Sequence, residues 1–101
     1  MKFTLVSTDY FLKQIALLDS RSKNLINSKL DLILINPYRF KRIHSKKFGK
    51  VFRVRLNLQG KETRLIYVVK EPDIIVVCLL ERKHDYNDLE KRLETIWGVK
   101  K

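Results

Sequence analysis

The chain has 101 residues, 45% of them hydrophobic and 33% charged, with only 3 Gly and 2 Pro and a formal net charge of +11. That length allows one modest core, and the composition excludes a disordered chain. Residues 41–70 hold ten Lys and Arg against a single acid, Glu62, a concentration that marks a polyanionic partner: nucleic acid, an anionic membrane or an acidic protein.

Phe3–Val6 has the composition of a short strand. Ser7, Thr8 and Asp9 then offer helix caps, and Phe11, Ile15 and Leu18 follow the i, i+4, i+7 spacing of an amphipathic helix. Asp19 and Ser20 punctuate before a second helix over residues 21–35, whose buried stripe is Ile26, Leu30, Ile33 and Leu34. Asn36-Pro37 ends it, because the residue before a proline is pushed out of the helical region. Two helices joined so closely should pack as an antiparallel hairpin. Residues 38–50 read as basic and irregular, with Gly49 at a turn.

Strands are expected near 51–58 and 63–70, with Gln59-Gly60-Lys61 as the hairpin connection and Glu71-Pro72-Asp73 as the next turn. In the first of these, alternation puts Phe52, Val54 and Leu56 on one face and Arg53 and Arg55 together on the other. By the same alternation, Tyr67 points away from Arg64 and into the core. Ile74–Leu80 is apolar throughout, which suits a strand covered on both faces inside a sheet. It contains the lone Cys78, read as a buried structural thiol of a reducing cytosol. Leu89, Leu93, Ile96 and Trp97 recur at helical spacing over Tyr86–Trp97. The expectation is one α+β domain over residues 1–101, ordered β-α-α-β-β-β-α, with a helical hairpin on a small, mostly antiparallel four-stranded sheet.

No apolar run approaches the roughly 20 residues that span a bilayer, and the first residues lack a signal-peptide core, so a cytoplasmic location is expected. The two histidines and scattered carboxylates form no metal-ligand spacing, and no cofactor is implied.

Several landmarks in this order resemble the RelE/ParE superfamily of toxin–antitoxin toxins. They are a helical hairpin ending at Asn36-Pro37, the Lys47-Phe48-Gly49 stretch, Phe52-Arg53-Val54-Arg55-Leu56, Arg64-Leu65-Ile66-Tyr67, an apolar final strand, and Arg82 followed by Tyr86. The resemblance covers about residues 3–86. It implies a prokaryotic, metal-independent endoribonuclease that enters the ribosome, cleaves mRNA by attack of the 2′-hydroxyl on the adjacent phosphodiester, and is neutralised by a partly acidic antitoxin. Such chemistry needs fixed cations where the pentacoordinate phosphate gathers charge, together with a proton acceptor and a donor.

By resemblance, Arg55 and Arg64 fall at phosphate-holding positions, and Arg82 and Tyr86 on the terminal basic–aromatic pair. Where relatives often carry lysines, Arg53 and Arg55 stand here; a guanidinium keeps its proton and is a poor general base. The shorter Arg82–Tyr86 spacing brings in His84, which titrates near neutrality and becomes a candidate acid or base. Lys41, Arg42, Lys46, Lys47, Lys50 and Arg53 read as RNA-backbone contacts, and His44 as a phosphate contact or a solvated residue. The alternatives are a ParE-like gyrase inhibitor, or a non-catalytic RNA-binding protein of the same fold, although the basic strand face shows no aromatic for base stacking. A membrane-surface role fits worst, because the cations lie on strands and not along an amphipathic helix.

Overall fold

Thr8 caps the first helix in a computed structural model that describes residues 2–44, 48–81 and 93. The elements are β1 (Thr4–Ser7), α1 (Asp9–Ala16), α2 (Ser20–Ile35), β2 (Lys41–Ile43), β3 (Val51–Leu58), β4 (Lys61–Lys70) and β5 (Asp73–Glu81). The Phe11 N–H donates to the Thr8 hydroxyl oxygen at 3.1 Å. At α2 the Ser22 N–H donates to Asp19 Oδ1 at 2.8 Å and holds that carboxyl below its usual range. Both caps satisfy helix-end donors that have no partner within the helix. Asn36 takes extended backbone angles at the end of α2, as its proline neighbour requires.

The strands form one sheet in the order β1-β5-β4-β3-β2. β3, β4 and β5 are an antiparallel meander, while β1 runs parallel to β5. Gln59 (φ 53°) and Gly60 (φ 79°) make the β3–β4 turn, the left-handed pair that a two-residue hairpin favours. The sheet has five strands where the sequence suggests four. The extra one, β2, lies in the stretch expected to be irregular and pairs Lys41, Arg42 and Ile43 with Arg53, Phe52 and Val51. Its cause is the edge of β3, whose backbone donors and acceptors draw in the nearest chain whatever its side chains.

Each sheet face carries its own apolar cluster. Phe11, Ile26 and Ile33 from the helices meet Phe52, Val54, Leu56, Leu65, Tyr67 and Ile74 on one side. On the other, Val51, Ile66, Val68, Val77, Cys78 and Leu80 gather around Leu93, which is helical and fully buried. β5 is therefore covered on both faces and Cys78 is a buried thiol in no disulfide, as expected. Of the helix expected over Tyr86–Trp97, the other residues lie outside those described.

Phe52 and Tyr67 stack at 5.4 Å between ring centroids, and Tyr38 meets Phe52 edge-on at 5.8 Å. The Tyr67 hydroxyl donates to the Pro37 carbonyl at 2.5 Å, and burial pushes its phenol well above the usual range. Tyr67 is thus a core residue that keeps its proton. No helix among the described residues is long and apolar enough to cross a membrane.

Candidate functional site

Alternation along β3 and β4 sorts the cations before any partner is invoked. Phe52, Val54 and Leu56 face the helices, so Arg53 and Arg55 face the other way. Register then brings Arg55 directly opposite Arg64, and Lys41 directly opposite Arg53. Four cations from three adjacent strands thereby share one end of one sheet face. Asn57 and Glu62, two residues along from Arg55 and Arg64, share that face, and the rest of it is the apolar cluster around Val51, Ile66 and Cys78.

The central pair differs in mounting. β4 lies between β3 and β5, and Arg64 stands beside Leu80 on the latter. Its side chain is half-buried, with Nε fully buried, so the stem is fixed. Arg55 is exposed. Like charges directly opposite each other in a sheet are destabilising unless an anion lies between them.

The end of β5 is held by side chains where β1 runs out. β1 covers β5 as far as Val76. Beyond it the Thr8 hydroxyl donates to the Val77 carbonyl at 2.7 Å. The Gln14 amide then does what a strand residue would: Nε2 donates to the Leu79 carbonyl at 3.0 Å and Oε1 accepts the Leu79 N–H at 2.7 Å. Lys61 pairs with Glu81 at 3.6 Å, and Glu81 stands opposite Thr63. The chain thus leaves β5 beside Arg64. Gln14→Ala should cost about 1–3 kcal/mol through the orphaned Leu79 groups. Faster amide exchange at Leu79 than at Leu65 would report it; unchanged exchange would mean that the clamp adds nothing.

The other candidates divide. Arg82, His84 and Tyr86 follow β5 in sequence and lie outside the described residues, as do Lys46 and Lys47. Arg42 alternates away from Lys41, and its guanidinium reaches the Gly49 carbonyl at 3.5 Å. Lys50 sits at the far end of β3, its ammonium 5.4 Å from the Tyr38 ring centre. Neither joins the Arg55–Arg64 cluster. His44 is exposed just after β2. Among the described residues, no three His, Cys, Asp or Glu side chains gather as metal ligands.

Two residues near the cluster carried no sequence signal. Lys29 of α2 and Phe40 join Lys41, Arg53, Val54 and Arg55 around an open groove of about 340 Å³. Lys29 reads as one more solvated helix lysine until the hairpin is folded onto the sheet.

No protein-family model matches the chain, and no curated protein matches it in sequence. Solved structures do match in shape. One is the Escherichia coli toxin RelE in the free state, a double arginine-to-alanine mutant, at 18% identity and a TM-score of 0.63 over 95% of this chain and 94% of that one. Another is the isolated E. coli RelE toxin, at 19% identity and a TM-score of 0.64 over 92% of this chain and 99% of that one. The two helices and the sheet that carries Arg55 opposite Arg64 are therefore built on the RelE fold.

Proposed function

We propose that the chain is the toxin of a toxin–antitoxin system, a metal-independent endoribonuclease that cleaves mRNA on the ribosome and so inhibits translation. The observation that carries this reading is the direct opposition of Arg55 and Arg64 on one sheet face, flanked by Arg53 and Lys41. Such an arrangement suits a group that gains negative charge during reaction.

In the proposed mechanism the mRNA phosphodiester lies over Arg64 and Arg55. The 2′-hydroxyl attacks the phosphorus, and the bond to the 5′-oxygen of the next nucleotide breaks. A cyclic phosphate and a free 5′-hydroxyl result. Arg64, on the interior strand, stabilises the non-bridging oxygens as they gain charge, and Arg55 neutralises the same group from β3. Neither arginine moves the proton. That task falls to His84 or Tyr86, with Arg82 as the leaving-group stabiliser, since β5 releases the chain beside Arg64 just before these three. Lys41 and Arg53 hold the neighbouring backbone, and Lys46 and Lys47 contact ribosomal RNA. The protein acts in the cytoplasm, and its antitoxin presents acidic groups to the +11 surface.

A translating extract supplied with the chain or with its Arg64→Ala variant tests the proposal. Codon-phased mRNA ends on stalled ribosomes that vanish in the variant support it. Intact mRNA with blocked gyrase supercoiling would replace it with the gyrase-inhibitor reading. Intact mRNA with active gyrase would leave the non-catalytic RNA-binding reading.

A further inference from the structure

We propose that the groove over the open edge of β3 is a second binding site for single-stranded RNA, in which Lys29 of α2 and Phe40 are the residues that grip the strand beyond the phosphate-transfer site. This rests on the reading that the basic face holds RNA. β2 pairs only with Val51–Arg53, so from Val54 onward that edge of β3 carries no strand among the described residues. The groove there joins the basic face to the flank of α2.

Charge and shape both point to a nucleic-acid backbone. Lys29, Lys41, Arg53 and Arg55 line the groove, and among the described residues no carboxylate does. A run of phosphates matches four cations set along one groove. The floor is apolar, made of Val54 and the half-buried ring of Phe40. The Arg39 guanidinium lies 5.3 Å from the centre of that ring. A cationic rim around an aromatic is the pairing that holds a sugar–phosphate chain and stacks its bases regardless of sequence. Arg55 belongs both to this groove and to the Arg55–Arg64 pair, so one strand can occupy the two sites together. An acidic peptide would use the cations but would make no stacking use of the aromatic, which otherwise packs against the core cluster.

Binding of a fluorescent 12-nucleotide oligouridylate by the full chain, measured across a salt series, tests this apart from any cleavage. Lys29→Ala should flatten the slope of log affinity against log salt by about 0.7, the share of one phosphate contact on a single strand. Lys13→Ala, on the exposed side of α1, should leave the slope unchanged. Phe40→Leu should weaken binding by about tenfold at unchanged slope, as loss of one stacked base does. Equal slopes for the wild type and Lys29→Ala, or equal flattening by Lys29→Ala and Lys13→Ala, would overturn the site. So would Lys29→Ala losing affinity for a polyglutamate peptide while keeping it for the oligonucleotide, which would assign the groove to an acidic protein. In the cleavage assay Lys29→Ala should raise KM with kcat unchanged. A wild-type chain that binds the oligonucleotide in this pattern but cuts no mRNA would sink the nuclease and leave the groove standing.

Discussion

Arg64→Ala is expected to lower the rate of the proposed ribosome-dependent mRNA cleavage by about 10²–10³, the usual cost of losing one preorganised donor to a charge that develops in the transition state. The size of the effect follows from mounting. Arg64 stands on β4 between two hydrogen-bonded neighbours, with Leu80 beside it and Nε buried, so its head group needs little reorganisation to meet the phosphate. Arg55 faces solvent on the neighbouring strand and has more freedom to lose, so its removal should cost less. Arg64→Lys discriminates further. It keeps a charge but not the planar fork that grips two oxygens, so it should recover only part of the rate. Single-turnover cleavage of stalled mRNA measures all three. A rate within threefold of the wild type in Arg64→Ala would remove Arg64 from the chemistry.

Phe52→Ala is expected to cost about 3–5 kcal/mol, a large fraction of the roughly 5–15 kcal/mol that holds a domain folded. Phe52 is 3% exposed and stacks on Tyr67, with Tyr38 against its edge. Truncation therefore opens a cavity and removes two ring contacts. It also affects the site, because Phe52 and Arg53 are adjacent on β3 and the packing of one side chain fixes the register of the other. Thermal or urea unfolding gives the number. A loss below about 1 kcal/mol would mean that the helices collapse into the gap and that the aromatic stack is not what anchors β3.

Much of this was legible in the residues because local chemistry agreed with the fold. Asp19 caps and Asn36-Pro37 ends the same helix, Gln59-Gly60 makes the turn that its backbone angles demand, and alternation alone separated Arg53 and Arg55 from Phe52 and Val54. β2 escaped because Lys41-Arg42-Ile43 has no pattern of its own; the strand is imposed by its neighbour. The groove escaped for a related reason. Lys29 and Phe40 meet Arg53 only after α2 is folded onto the sheet, and nothing in their own surroundings announces it. Lys50 and Arg42 both lie in the basic stretch yet turn toward Tyr38 and Gly49, away from the arginine pair. Charge density along a chain reveals that a polyanion is wanted, and only the register of strands says which cations will meet it.

The bonds from Thr8 to Val77 and from Gln14 to Leu79 span 69 and 65 positions of sequence, and β1 takes its strand partner from β5 alone. Residues made early must therefore wait for residues made late. While a ribosome is still synthesising β5, the first strand and helix have no sheet edge to dock on, and the loop that must close is long. The β3–β4 hairpin can form sooner, but without β5 the interior strand that mounts Arg64 is itself an edge. A protein proposed to attack translating ribosomes would thus complete its proposed phosphate-gripping face only once β5 has been made.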